Sequence, residues 1–161
     1  MKVLQWSDNY SVGNLEIDQQ HKQLFSMFAQ LVDGIEKGGA SFHLEQVFTQ
    51  LYGYIKNHFR YEERVMKKAD FPGFSNHKKK HEKIKNRLKK YRDEFNQAKG
   101  KKKDKVASDV ALFLQDWLQE HIKGEDQQYV PYISQPQEPI ATAVKQSPSK
   151  GKKAPRPFLW S

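Results

Sequence analysis

Two short runs pair metal-capable side chains at helical spacing: HFRYE, residues 58–62, and HKKKH, residues 77–81. Residues four apart lie on one helix face, one turn above the other. His58 therefore joins Glu62, and His77 joins His81. Lys78, Lys79 and Lys80, between the latter, cannot all be buried and suit the opposite, solvent face. His121 and Asp126 lie five apart in HIKGED, about 140° around an ideal helix. They converge only if that helix ends or deforms between them, and Gly124 permits this. His21 stands in IDQQHKQLF. Imidazole with carboxylate is a donor set for iron, zinc, copper or nickel.

Four segments with apolar residues at helical period carry these side chains. The first, which Asp18 can cap, runs through Leu24, Phe25, Phe28, Leu31, Val32 and Ile35 and ends at Gly38-Gly39. Ser41 can cap the second, with Leu44, Val47, Phe48, Leu51, Tyr54 and Ile55, which continues past Glu62 to about Met66. A turn follows at 69–73. Ser75 can cap the third, through Ile84, Leu88, Tyr91 and Phe95 to Gly100. The tract GKKKD reads as a loop with Asp104 as the next cap. The fourth segment carries Val106, Val110, Phe113, Leu114, Trp117, Leu118 and His121, and Gly124 interrupts it.

No strand-like alternation competes with these segments. Long helices with short loops favour antiparallel neighbours, so the expected fold is all-α, an up-down-up-down four-helix bundle. In that fold the start of helices one and three and the end of two and four share one end of the molecule. His21, His58, Glu62, His77, His81, His121 and Asp126 all fall there. Any one of these histidines, taken singly, reads as a surface or hydrogen-bonded residue. Burying five imidazoles and two carboxylates in one layer is unfavourable unless something satisfies them, and metal coordination does so. Seven donors exceed one tetrahedral zinc, so two metals are implied, with the carboxylates as natural bridges. His43 lies at the other end and reads as surface. Glu63, beside Glu62, reads as an exposed helix carboxylate.

The net charge of +9 is unevenly placed. Residues 78–105 carry fourteen Lys/Arg against four Asp/Glu, and residues 134–161 carry five against one. A basic run of the first kind is ordinarily a solvated helix face. Tyr91 and Phe95 fit the core better than base stacking, and no nucleic-acid partner is expected. From Ser134 the chain is rich in Pro, Ser, Lys, Gln and Ala, so 1–133 reads as the bundle with an N-terminal arm and 134–161 as a disordered tail. The tail's charge and its Phe158-Leu159-Trp160 end suit contact with an anionic membrane surface or an acidic protein partner. No run is long and apolar enough to span a membrane. The start, MKVLQWSDNYSV, lacks the apolar block of a signal peptide, and there is no cysteine. A cytoplasmic location is expected.

The ordered set H…HxxxE…HxxxH…HxxxxD closely resembles the haemerythrin family, in particular its single-domain bacterial members. IDQQHKQLF, HFRYEERVM, HKKKH and WLQEHIKGEDQQY carry the resemblance, which covers about residues 4–133. It implies reversible O2 binding at a non-haem, oxo-bridged di-iron centre and no enzymatic turnover. By resemblance Glu62 and Asp126 bridge the irons, His77, His81 and His121 complete one iron, and His21 and His58 hold the other. O2 is the implied ligand. Leu24, Phe25, Phe59, Trp117 and Leu118 flank the ligands and could line a dry pocket for it, as well as forming ordinary core. The lysine-dense third helix and the tail depart from the pattern.

Oxygen-activating di-iron bundles use paired Glu-x-x-His motifs, and none occurs here. A nitrogen-rich site donates less anionic charge and favours reduced irons, which suits reversible binding. The rival readings are a di-iron enzyme handling peroxide or NO, a di-zinc hydrolase, and a binding protein acting through its basic surface or tail. A monomer is expected, and the sequence does not separate carrier, store, sensor and delivery roles.

Overall fold

A computed structural model describes residues 3–38 and 41–133. It contains four long helices: α1 (Leu15–Glu36), α2 (Ser41–Lys68), α3 (Phe74–Gln97) and α4 (Lys101–Glu120). A 3-10 turn at Asp8–Tyr10 precedes α1. After Glu120 the helix widens into a π segment at His121–Glu125, tightens into a 3-10 segment at Asp126–Tyr129, and ends in one turn at Val130–Ile133. There is no strand among the described residues. Each long helix packs on its neighbours in the chain, and α1 on α4 closes the ring. The result is the expected up-down-up-down bundle.

Apolar periodicity builds the core. Leu31, Leu44, Phe48, Leu51, Phe95, Val106 and Val110 are buried in one cluster that continues through Leu24, Phe59, Leu114 and Leu118. A second cluster, of Val12, Ile17, Met66, Phe71 and Tyr129, closes the opposite end. The histidine layer sits at that end.

Several helix starts differ from the expected ones. Asn14, not Asp18, caps α1, its Oδ1 accepting from the Ile17 N–H at 3.0 Å. Asp18 lies inside the helix and instead accepts from Ser11 Oγ at 2.6 Å and from the Val12 N–H at 2.9 Å. It ties down the N-terminal arm. Helix α3 starts one residue before Ser75, with Gly73 at the cap and no side-chain capping bond. A Cβ on Gly73 would lie 2.5 Å from Phe71 Cζ, so any larger residue there must displace the Phe71 ring. The GKKKD tract is not a loop. Gly100 turns the chain at φ +53, and Lys101 begins α4 at once, leaving Asp104 within the first turn.

The turn at 69–73 forms as expected. Asp70 takes the left-handed conformation (φ 51), while the N–H groups of Phe71 and Asp70 return to the carbonyls of Met66 and Lys67 at 3.1 and 3.2 Å. That is a Schellman end, which satisfies orphan carbonyls of α2. The side chains of Ser41 and His43 and the tail from Ser134 lie outside the described residues. Among the described residues no helix is long and apolar enough to cross a membrane.

Candidate metal centre

All seven predicted donors meet in one layer. His21 comes from α1, His58 and Glu62 from α2, His77 and His81 from α3, and His121 and Asp126 from the continuation of α4. Each is 3 % exposed or less. Their Nε2 atoms and carboxylate oxygens turn toward a common centre. His77 and His81 approach to 3.0 Å, and His81 and His121 to 3.2 Å. Glu62 Oε2 lies 3.1 Å from His81, 3.7 Å from His77 and 3.8 Å from His58. The two oxygens of Asp126 face apart. Oδ1 lies 3.0 Å from His121 and 3.3 Å from His77, while Oδ2 lies 3.3 Å from His21.

Two overlapping groups have metal-site dimensions. Glu62, His77, His81 and His121 form one, with donor atoms all within 4.8 Å of one another, and His21, His58 and Glu62 form the other. Glu62 belongs to both.

His121 and Asp126 converge because the helix widens rather than breaks. The Asp126 N–H bonds to the His121 carbonyl, a five-residue closure that sets Asp126 over His121. Gly124 is not the cause, since it stays helical with open space where a Cβ would be.

The layer is electrostatically demanding. His21 Nδ1 and Nε2, His58 Nε2, Glu62 Oε2 and both Asp126 oxygens are buried without a hydrogen-bond partner. Burial holds the His58 imidazole down at about 3, against the pull of Glu62. Burial also depresses His77, but the facing carboxylates of Asp126 and Glu62 outweigh it and hold that ring up at about 9. His81 is likewise raised, with burial outweighed by Glu62 and Glu63. Burial and Asp126 push the Glu62 carboxyl up, yet His58, His77 and His81 together hold it below the ordinary range. Burial acts the same way on Asp126, and His121, His21 and His77 outweigh it.

The five predicted pocket-lining residues are all buried in the main core. Phe59 stacks on His81 with ring centres 3.7 Å apart, and Trp117 lies 5.6 Å from both Phe59 and His121. Phe25 packs against Tyr10 and Trp6 at 4.8 and 5.9 Å. Leu24 and Leu118 are buried in the same cluster.

Sequence reasoning missed the groups that hold the donors from outside. Tyr129 donates its hydroxyl hydrogen to Glu62 Oε1. Its spacing from Asp126, three residues and thus one turn, is the signal that could have found it. Gln20 Oε1 lies 2.9 Å from His58 Nδ1, and Trp6, from the arm, packs 6.2 Å from the His21 ring. Glu63 is not the idle surface residue expected, because its Oε1 lies 2.9 Å from His81 Nδ1.

Comparison with known proteins agrees with this geometry. The family described as "Hemerythrin HHE cation binding domain" matches residues 13–133. The chain is 29 % identical over 136 residues to a bacteriohemerythrin of Stenotrophomonas maltophilia (strain R551-3), covering 83 % of each chain. It is 32 % identical over 130 residues to a bacteriohemerythrin of Pseudomonas aeruginosa (strain UCBPP-PA14), covering 81 % of each. Among solved structures, wild-type hemerythrin superposes with a TM-score of 0.73 at 26 % identity, over 83 % of this chain and 99 % of that one. A bundle that gathers H…HxxxE…HxxxH…HxxxxD into one buried cluster, with these relatives over most of its length, belongs to the haemerythrin family.

Proposed function

We propose that this chain holds two iron ions in an oxo-bridged centre and binds O2 reversibly there, as an oxygen carrier, store, sensor or delivery protein. One observation carries the reading: seven buried donors, several without hydrogen bonds, surround a common centre. Buried lone pairs and carboxylate charge on this scale need cations to offset their desolvation. The donor chemistry fits iron, since neutral imidazoles with two carboxylates suit a divalent transition ion.

The residues divide naturally. His77, His81 and His121 would hold one iron, and His21 and His58 the other, with Glu62 and Asp126 shared. The two oxygens of Asp126, one toward His121 and His77 and the other toward His21, and the place of Glu62 in both donor groups support that sharing. When bound, the iron pair supplies the electrons and the open coordination position that reversible O2 binding requires. The protein's part is to present five neutral Nε2 donors, limit the anionic charge to two carboxylates, and exclude water. Phe59 and Trp117 pack on the imidazoles, and Phe25 closes against Tyr10 and Trp6 from the arm. A dry, nitrogen-rich setting favours reversible binding over oxidative turnover.

The test is anaerobic reduction of iron-reconstituted protein, metal analysis, and visible spectra over repeated cycles of O2 addition and removal. Two irons per chain and a spectrum that bleaches and returns are expected. One metal or none overturns the di-iron reading. Irreversible oxidation on first exposure overturns the oxygen-binding role, and steady turnover of peroxide or NO would assign an enzyme instead.

A further inference from the structure

We propose that Glu63 is a positioning residue of the metal centre: its carboxylate accepts the Nδ1–H of His81 and so presents the Nε2 lone pair to the ion. This rests on reading the cluster as a metal centre. Glu63 follows Glu62 by one residue and so points about 100° further round α2. That turns it away from the shared centre and toward α3. Its Oε1 lies 2.9 Å from His81 Nδ1, and its side chain is only 16 % exposed.

The same face of α2 grips the ring a second time. Phe59, four residues before Glu63, stacks on the His81 imidazole at 3.7 Å with the planes 8° apart. Phe59 holds the ring by its face and Glu63 by its edge, as residues one turn apart can. A neutral imidazole carries one proton on one of two nitrogens. An acceptor at Nδ1 keeps the proton there and leaves Nε2 as the donor. Nε2 is the atom that faces the centre, 3.1 Å from Glu62 Oε2 and within 3.2 Å of the Nε2 atoms of His77 and His121.

The two halves of the centre differ in this respect. Behind His81, in the three-histidine half, stands a carboxylate. Behind His58, in the two-histidine half, stands the neutral amide of Gln20, with Oε1 2.9 Å from Nδ1. An anionic acceptor makes an imidazole a stronger donor and favours the more highly charged ion. Glu63 therefore stabilises the oxidised state of the three-histidine half relative to a neutral acceptor.

Chelator competition on the full chain tests this, run with ferrous iron and separately with zinc. Wild type is compared with Glu63→Ala, Glu63→Gln and, as an exposed control on α3, Glu94→Gln. Glu63→Ala is expected to bind either metal about 10–100-fold more weakly. Glu63→Gln should recover most of that affinity, because its amide oxygen still accepts from Nδ1–H, yet raise the reduction potential of bound iron. Glu94→Gln should match wild type. Wild-type affinity in Glu63→Ala, or an unchanged potential in Glu63→Gln, overturns the role. Should Glu63→Ala fail to fold, the nearly isosteric Glu63→Gln still decides through its potential. A wild-type chain that takes up neither metal overturns the metal-centre reading itself, a different result from wild-type binding that is indifferent to Glu63.

Discussion

Tyr129 is fully buried and gives its hydroxyl hydrogen to the carboxylate that both donor groups share. Removing that hydroxyl should leave Glu62 Oε1 buried with no donor. Tyr129→Phe is expected to destabilise the metal-free chain by about 1–3 kcal/mol, read from urea denaturation, and to cost less once metal compensates the carboxylate. Titration gives a second expectation. His77, raised to about 9, contributes stability that is complete below its unfolded value and lost as pH climbs through 9. His58, lowered to about 3, acts in the opposite sense, with stability lost as pH falls below the ordinary histidine value. The metal-free chain should therefore be most stable near pH 6.5. Thermal melts between pH 5 and 9.5 should show a loss on the alkaline side that metal loading suppresses, and a flat profile would contradict the assigned charges. The convergence of the seven candidate donors was legible because few chemistries want histidine and carboxylate at helical spacing. The roles of Gln20 and Glu63 were not, because each acts through a partner on another helix and nothing in its own spacing distinguishes it from a surface residue, whereas Tyr129, one turn after Asp126, lay within reach of the same spacing argument.

The element that most shapes the centre is the π segment, His121–Glu125. Its extra residue per turn converts an unfavourable five-residue spacing into a convergent pair. Inserting one alanine after Gly124 should carry the Asp126 side chain about 100° further round the helix and away from the centre. Metal binding should collapse while far-UV circular dichroism stays nearly unchanged. Gly124→Ala should bind metal normally, since the residue is helical with room for a Cβ. If the two variants behave alike, the widened turn is not what seats Asp126. Helix number, order and faces were all readable from apolar period. The starts of α1, α3 and α4 were not, because several polar residues within one turn can each serve as a cap and the winner depends on tertiary contacts. Asp18 illustrates this, since it is recruited by Ser11 and Val12 of the arm and leaves the capping to Asn14.

At the scale of the whole molecule, the centre and the family match both end by Ile133, so removing residues 134–161 should leave metal content and spectrum intact. The tail's positive charge and Phe158-Leu159-Trp160 end should instead support salt-sensitive binding to anionic vesicles or an acidic protein. Co-sedimentation of full and shortened chains at low and high salt checks this, and equal binding would assign the tail no such role. The donors also have an uneven distribution along the chain. His58 with Glu62, and His77 with His81, are neighbours within single helices, whereas His21 and Asp126 stand 105 residues apart in the sequence. The complete centre therefore exists only after the chain has closed its longest loop. The local pairs need no such closure and can chelate a divalent ion while the polypeptide is still searching for its topology. Ions held by the unfolded chain subtract from the stabilisation that metal gives the native state, and mispaired ligands must be released before docking. Refolding from urea with excess zinc present from the start should accordingly be slower than refolding followed by zinc, so that for this protein the order in which folding and metallation occur becomes a kinetic decision.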